Sequence, residues 1–398
     1  MLRQLGPATA SAGQSKFTGS FHGPLLRSLV YQVLLAAALC LAAWYLISNA
    51  AQNLFDLGIA AGFGFLSREA GFAIGETTLL SYTAADTYLR AIAVGFFNTM
   101  RAATLAIVCA TLLGVLIGLA RLSANWLLAK GAAAYVEVLR NVPLVVQLFF
   151  WYAVITESLP APADALQPLP ATFLSNRGLV FPMLKLAPVH GWLVAVLILA
   201  LVITVAWILR PGSTRTASDK RFKFLIAVAA GSAALFLRAG ARMEIDYPVF
   251  SGFNFTGGGS LSPEFTALFL GLTLYTAAFI TEIVRAGILA VDRGQFETAY
   301  SLGLTQRQVM RFIILPQALR VIVPPLTSQY LNCTKNSSLA VAIGYPDLVS
   351  VANTTINQTG QAIEGIAIIM LVYLSISLAI SASMNWYNRR VALRGNTQ

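Results

Sequence analysis

Charged residues are scarce in this sequence. Only 11% of its 398 residues are Asp, Glu, Lys or Arg, whereas soluble proteins average about 25%. Hydrophobic residues make up 57%, and the few charges lie between long uncharged stretches. A membrane-spanning helix needs about 20 predominantly apolar residues. The pattern therefore argues against an ordinary soluble enzyme and predicts an all-α polytopic membrane protein.

Residues that bind metals, form disulfides or hold phosphate are also rare. The three cysteines, Cys40, Cys109 and Cys333, lie in apolar stretches, so no disulfide framework is expected. His22 and His190 are isolated, without a second ligand at a useful spacing, so no metal site is expected. The sequence contains no Gly-Lys dipeptide. A phosphate-binding P-loop, and ATP hydrolysis through one, are thereby excluded.

Eight apolar runs set the predicted topology. They are residues 28–47, 96–120, 135–155, 191–209, 224–237, 265–289, 321–343 and 365–386. With both termini in the cytoplasm, most of the 27 Lys and Arg residues fall in cytoplasmic segments, as membrane proteins require. The net charge of +11 is therefore interpreted as this cytoplasmic excess and not as a nucleic-acid-binding surface. A signal peptide is the alternative for the first run, which is longer than an ordinary signal core, so we favour a retained helix.

The segment between the sixth and seventh runs predicts two short helices joined by a turn. It reads VDRGQFETAYSLGLTQRQVMRFIILPQALR. Phe296, Ala299 and Tyr300 share one helical face. Gly303 follows at the position where a helix commonly ends in a left-handed residue.

A second short helix is predicted after this glycine. Thr305 and Gln308 have the spacing of a capping box. Its apolar face is predicted to consist of Val309, Phe312 and Ile313. Pro316 then ends this helix or begins the next one. These local features leave open whether the segment lies on the lipid surface or docks a partner protein.

The same segment carries a family pattern. Six residues fit the order Glu-Ala-Ala, three residues, Gly, nine residues, Ile-x-Leu-Pro: Glu297, Ala299, Gly303, Ile313, Leu315 and Pro316. The segment resembles the EAA loop of permease subunits of bacterial ABC importers, with Thr298 where that family usually has Ala. Residues 91–157 and 262–388 are similar to polar amino-acid permeases. The added N-terminal run and the long insert resemble the Q-type permeases of general L-amino-acid (Aap/Bzt) importers.

The resemblance implies a fold and a domain order. The fold is the type I ABC importer permease fold with an insert carrying two extra helices. Residues 1–27 and 389–398 are expected to be cytoplasmic tails, and residues 28–90 an extra N-terminal helix with a periplasmic loop. The permease domain is expected at 91–388, with the insert at about 157–262 and the EAA loop at about 292–316.

The resemblance also implies a function and partners. It predicts an importer subunit in the bacterial inner membrane that moves L-amino acids and couples through the EAA loop to a separate cytoplasmic ATPase. ATP and Mg would bind that ATPase, and this chain would hold no cofactor. A second permease subunit, in a heterodimer, and a periplasmic amino-acid-binding protein complete the complex. Membrane lipid surrounds it, and no nucleic acid is expected.

Polar residues late in the seventh run predict a substrate path. Lys335, Asn336, Ser337 and Ser338 stand within an apolar stretch, where polar groups are costly and usually face a cavity or a partner. Lys335 would attract an amino-acid carboxylate, and Glu282 in the sixth run would accept its ammonium group. The structural alternatives are a Lys335–Glu282 pair, a Lys335 side chain reaching the membrane interface, or pairing of Glu282 with Arg285.

Two further interpretations complete the sequence-based picture. Arg140, close to Pro143, favours a helix entry and a subunit contact over a ligand site. The Gly257–Gly259 run is interpreted as a flexible turn, since no Lys follows it. An ion-coupled secondary amino-acid transporter is the functional alternative. It would require inverted repeats and membrane carboxylates, and we find no clear repeat.

Overall fold

The computed structural model describes residues 22–56, 62–185 and 244–391. The chain divides into two compact units, Met1–Gly62 and Phe63–Gln398. The first unit contains one long helix, α1 (His22–Asp56). Its window Ser28–Leu46 is long and apolar enough to cross a membrane. The first predicted run is thus part of a helix that extends further at both ends.

Six of the eight predicted runs have counterparts in the described residues. Five single helical segments qualify as membrane spans: Ser28–Leu46, Tyr88–Arg121, Pro263–Leu289, Gln306–Ile343 and Ala362–Asn388. A bent pair of helices is the sixth candidate. The predicted runs 191–209 and 224–237 lie outside the described residues, so the total of eight remains a prediction.

The bent pair corrects the third predicted span, which was expected to be one helix over 135–155. Helix α3 (Trp126–Asn141) and the segment beginning with α4 (Leu144–Ala153) meet at 103°. Pro143 has no N–H to donate, and a residue before proline, here Val142, is driven out of helical geometry. Gln147 Nε2 donates to the carbonyls of Leu139 (2.8 Å) and Val142 (2.9 Å), which satisfies the end of α3.

The centre of the second unit is a close pair of long helices. Helix α2 (Tyr88–Arg121) packs along α5 (Pro263–Leu289). A Cβ atom on Gly114 of α2 would lie 2.7 Å from Ile280, so only glycine permits this approach. Thr281 Oγ1 also donates to the Gly114 carbonyl at 3.2 Å. Small residues that let two helix backbones meet closely are characteristic of packing within membranes.

Four helices shorter than α5 lie between α5 and the last helix. Helices α6 (Arg293–Ser301) and α7 (Gln306–Val309) are followed by a wide π-helical turn over Met310–Ile314, which leads into α8 (Leu315–Asn336). The chain then tightens into a 3-10 segment, Ser337–Ile343.

After Gly344, in left-handed conformation, comes α9 (Leu348–Thr359), which the sequence analysis did not anticipate. It lies along the first half of α2, where the Tyr88 hydroxyl donates to Gln358 Oε1 at 3.1 Å. The last helix, α10 (Ala362–Val391), packs against both α8 and α9.

The ends of the insert form a small β-lobe, which the sequence analysis did not predict. Its main sheet is antiparallel in the order β1 (Leu166–Leu169), β2 (Thr172–Ser175), β3 (Gly178–Phe181), β8 (Gly259–Leu261). Two antiparallel strand pairs accompany it: β4 (Met183–Lys185) with β5 (Glu244–Asp246), and the hairpin of β6 (Val249–Ser251) with β7 (Asn254–Thr256). These strands have only three or four residues each, too few for a clear alternating pattern.

The β-lobe brings the beginning and the end of the insert together. Leu179 of β3 pairs with Leu261 of β8, immediately before the Ser262 cap of α5. The glycine run 257–259 belongs to this junction and is not a free turn. A Cβ atom on Gly258, at φ +67°, would lie 2.5 Å from the Phe181 carbonyl oxygen. The prediction of a flexible turn there was wrong because the run is required for close backbone packing.

Candidate functional site

The two-helix loop, residues 292–316, connects the end of α5 to the start of α8. Asp292 caps α6 by accepting from Gly294 N at 2.6 Å. Gly303 has φ +75°, and its N–H donates to the Tyr300 carbonyl at 2.9 Å. Thr305 and Gln308 form the predicted capping box at the start of α7. The predicted order of helix, glycine turn and helix is therefore confirmed.

The inner side of the two-helix loop is anchored in the core. Ala299 and Val309 are each 1% exposed, and Ile314 is fully buried. They pack in one cluster with Val291 and residues of α8 such as Ala318. These buried contacts hold the loop against the spans on either side.

The outer side of the loop presents charge and apolar surface. Glu297 and Thr298 are exposed, as are Tyr300 (50%) and Leu302 (74%). Tyr300 was predicted to share one helical face with Phe296 and Ala299, and of these three residues Ala299 is the buried one. Exposure of Thr298 means that its departure from the family pattern disturbs no packing within the chain.

The predicted face of the second helix also needs correction. Phe312 is 62% exposed, whereas Ile314 is the buried residue. The π-helical turn is the cause, because Leu315 N donates to Met310 O and the wider turn shifts the inward face. Ile313 is half-buried, Leu315 is 45% exposed, and Pro316 lies in the first turn of α8.

The predicted substrate-path residues lie where α8 passes into the 3-10 segment. Lys335 is exposed and its side chain makes no ion pair within the described residues. Asn336 is half-buried. Ser337 Oγ donates to Thr334 O at 2.7 Å, and Ser338 Oγ to Lys335 O at 2.8 Å. Both hydroxyls donate to backbone carbonyls of the same segment, and Lys335 is the exposed residue of the four.

Glu282 is separate from that segment. It forms ion pairs with Arg121 of α2 and with Arg285, whose Nη2 lies 2.8 Å from Glu282 Oε1. The predicted alternative of a Glu282–Arg285 pair is confirmed, and a Lys335–Glu282 pair is not formed. Gly287 packs on Ile322, and Thr276 hydrogen-bonds Cys333. Glu282 and Lys335 are thus offset by roughly 12 Å along antiparallel helices.

A buried polar cluster (Glu76, Asn98, Arg101 and Asp347) was not found from the sequence. Arg101 Nη1 pairs with Glu76 Oε2 at 3.0 Å, and their side chains are only 11% and 10% exposed. Asn98 Nδ2 donates to the carbonyls of Glu76 (2.9 Å) and Pro346 (3.0 Å). The only sequence signal for this cluster was Asp347, which follows a proline and precedes an apolar segment. In the structure Asp347 caps α9.

Asp347 is completely buried. Its Oδ1 accepts from Ser350 N at 2.8 Å, while Oδ2 has no hydrogen-bond partner in the described structure. Burial raises the pKa of the Asp347 carboxyl to about 7. Asp347 follows the span Gln306–Ile343 and precedes the last one, so it belongs to the connection between them.

The chain has clear relatives. Residues 224–393 match the family described as binding-protein-dependent transport system inner membrane component. The putative amino-acid ABC transporter permease protein YhdX of Escherichia coli is 47% identical over 94% of this chain and 96% of its own length. The general L-amino acid transport system permease protein AapQ of Rhizobium johnstonii is 44% identical over 95% of each chain.

A third relative extends the same pattern. The glutamate/glutamine/aspartate/asparagine transport system permease protein BztB of Rhodobacter capsulatus is 39% identical over 92% of this chain and 94% of its own. These alignments span nearly the whole of both partners, insert included. The chain therefore belongs to the amino-acid ABC transporter permeases, inner-membrane translocation components with the type I importer permease fold.

Proposed function

We propose that this chain imports L-amino acids across the bacterial inner membrane, driven by ATP that a separate cytoplasmic ATPase hydrolyses. The substrate class rests on the relatives named for amino-acid transport, AapQ and BztB among them. The alternative of an ion-coupled carrier has no support from these relatives. ATP and Mg would be bound by the ATPase, since this chain has no P-loop sequence.

The observation that carries the coupling role is the construction of the two-helix loop. Ala299 and Val309 fix it in the core, while Glu297 and Leu302 project from it. A loop anchored in this way, which forms a rigid knob on the surface, transmits the movement of a docked partner to α5 and α8. We infer that Glu297, Ala299 and Gly303 form this knob, with Ile313, Leu315 and Pro316 continuing it into α8.

The orientation of the chain is part of the proposal. Arg293, Arg307, Arg311 and Arg320 lie in or beside the two-helix loop. Basic loops stay on the cytoplasmic side, which puts the loop within reach of an ATPase and both termini inside. The β-lobe, at the other end of α5, then faces the periplasm and the binding protein.

A second permease subunit is expected to complete the path. We propose a different chain for this partner, as in the heterodimer implied by the family resemblance. Within this chain, Lys335 to Ser338 lie late in α8 and in the 3-10 segment, with Lys335 free to meet a carboxylate. Glu282 is a weaker candidate for the path, because Arg121 and Arg285 already neutralise it.

The test is transport by the whole complex in proteoliposomes, with uptake of labelled L-amino acids and ATP hydrolysis measured together. Glu297→Lys and Gly303→Asp are expected to assemble normally but to lower uptake at least 10-fold for each ATP hydrolysed. A Cβ atom at Gly303 meets nothing within the chain, but its φ of +75° strains any side chain there. A control with the same backbone strain is therefore needed to assign the effect to the partner.

Two control variants sharpen this test. Thr298→Ala restores the family pattern at an exposed position and should transport normally. Gly303→Asn has the size of Asp and tolerates the left-handed backbone, so it isolates the charge. Wild-type coupling in both Glu297→Lys and Gly303→Asp would refute the coupling role.

A further inference from the structure

A cavity lined by charged side chains lies at the bend between α3 and α4. This elbow pocket has a volume of about 300 Å³ and is lined by Arg121, Glu137, Arg140, Asn141, Phe279 and Glu282. The bend at Val142–Pro143 directs the end of α3 toward α5, which brings Arg140 and Phe279 together. Its volume is at the lower end of those typical for small-molecule sites.

The charges around the elbow pocket are not all neutralised by one another. Glu282 is shared between Arg121 and Arg285. The guanidinium of Arg140 lies over the Phe279 ring, 4.9 Å from its centroid, and forms no ion pair within the described residues. Glu137, one helical turn before Arg140 on α3, likewise has no ion pair there. Arg140 also acts electrostatically on Glu282. Within the described residues, however, neither Arg140 nor Glu137 has an ion pair or a side-chain hydrogen bond, so both can still bind a ligand group at the pocket wall.

This arrangement complements a compact zwitterion. A guanidinium binds a carboxylate through two parallel N–H donors, and the ring beneath Arg140 limits its orientations. A carboxylate at Glu137 accepts from an ammonium group, and the Asn141 amide adds a donor and an acceptor. A site that reads both α-groups of an amino acid and leaves the side chain in open space suits several amino acids.

We propose that the elbow pocket is a second binding site for the α-amino acid zwitterion, on the ATPase-facing end of the permease. Arg140 binds the α-carboxylate and Glu137 the α-ammonium group. Glu282 lies about two turns before the end of α5, and the two-helix loop follows directly, so the pocket lies near the cytoplasmic end of α5 in the proposed orientation. The inference deepens the proposed function, on which its choice of ligand rests.

Equilibrium binding to the intact complex tests the proposal. The complex is placed in nanodiscs without binding protein or ATP, and titrated with L-glutamine as the probe. Arg140→Gln and Glu137→Gln are each expected to weaken binding at least 10-fold. Lys130→Gln, an exposed cation on the same helix, should bind as wild type. The methyl ester and the N-acetyl derivative of glutamine each lack one charge and should not compete.

Uptake by the same purified complex, reconstituted in proteoliposomes, separates this proposal from the proposed function. If the wild-type complex imports amino acids but binds no glutamine without the binding protein, the elbow site is refuted and the importer stands. If glutamine binds and neither Arg140→Gln nor Glu137→Gln weakens it, the site lies elsewhere and the proposal fails. Binding lost in both variants, in a complex that imports nothing, would support the site and refute the importer.

A lipid headgroup offers the same chemistry, because phosphatidylethanolamine carries an ammonium group and an oxyanion. The titration is therefore repeated in nanodiscs of phosphatidylethanolamine and of phosphatidylcholine, each mixed with phosphatidylglycerol. Equal glutamine affinity in both supports an amino-acid site. Binding only in the absence of phosphatidylethanolamine would mean that a headgroup occupies the pocket, and would overturn the proposal.

Discussion

Two Arg–Glu clusters lie roughly 30 Å apart along α2, and they are built differently. In the buried polar cluster, Arg101 and Glu76 are 11% and 10% exposed, and Arg101 also lies 4.1 Å above the Phe265 ring. Around the elbow pocket, Arg121, Glu282 and Arg285 are 20 to 32% exposed, and Arg121 and Glu282 border a cavity. The same residue types thus close one region of the molecule and leave the other accessible to a ligand.

The difference follows from what surrounds each pair. Residues of the loop before α2 and of the connection between α8 and α9 both reach Asn98, whose amide donates to Glu76 O and Pro346 O. Three segments distant in sequence are thereby joined. At the elbow pocket the bend after α3 instead leaves a cavity between the end of α3 and α5, so charged side chains border open space. We expect the closed Arg101–Glu76 pair to contribute mainly to stability. We expect the open cluster at the elbow pocket to contribute mainly to ligand binding.

The largest expected effect is the loss of one partner from the closed pair. Arg101→Met leaves Glu76 buried without its cation, and breaking a buried pair costs about 3–5 kcal/mol. The free energy of unfolding, measured by denaturant titration in detergent micelles, should fall by that order. The double variant Arg101→Met/Glu76→Gln removes the stranded charge and should recover part of the loss. Equal stability of Arg101→Met and wild type would mean that the pair is not closed.

A second prediction concerns proton uptake by the same region. Asp347 has a pKa of about 7 in the folded chain, above its ordinary value of 3.8. The folded state therefore holds the proton between these values, and stability is lost as pH rises through that window. Between pH 5 and pH 8 the loss attributable to Asp347 should be about 2 kcal/mol.

Asp347→Asn is the matched control for this titration. The amide oxygen still accepts from Ser350 N and caps α9, but it does not ionise. Its unfolding free energy should therefore change less with pH than that of the wild type, and the two proteins should differ most at pH 8. Parallel pH profiles would show that Asp347 does not carry the buried proton.

Much of this organisation was predictable from local sequence. Apolar runs of adequate length identified the spans within the described residues, and Gly303 with its capping box identified the two-helix loop. Pro143 was visible, yet a bend of 103° was not inferred from it. The π-helical turn moved the inward face from Phe312 to Ile314, because one additional residue per turn leaves no signature in the apolar pattern.

The charged clusters were harder to predict because tertiary packing creates them. Arg121, Arg140 and Glu282 are separated by up to about 160 positions, and only the α2–α5 contact and the bend after α3 bring them together. Arg101 and Glu76 belong to different segments in the same way. The β-strands were missed for another reason, since three or four residues do not establish a period. The predicted assignments of Glu297 and Lys335 stay predictions until transport is measured.

The smallest expected effect is on the free energy of unfolding at different salt concentrations, which compares the two Arg–Glu clusters most directly. Glu282→Gln removes one charge from a partly exposed cluster while keeping the side-chain shape, and should cost about 1 kcal/mol or less. Partly exposed ion pairs are screened by salt, and buried pairs much less. Raising NaCl from 50 to 500 mM should therefore reduce the difference between Glu282→Gln and wild type, while the cost of Arg101→Met stays nearly constant. If both costs fell equally with salt, the closed and open clusters would not differ in solvent access. The elbow pocket would then be no more accessible than the buried polar cluster.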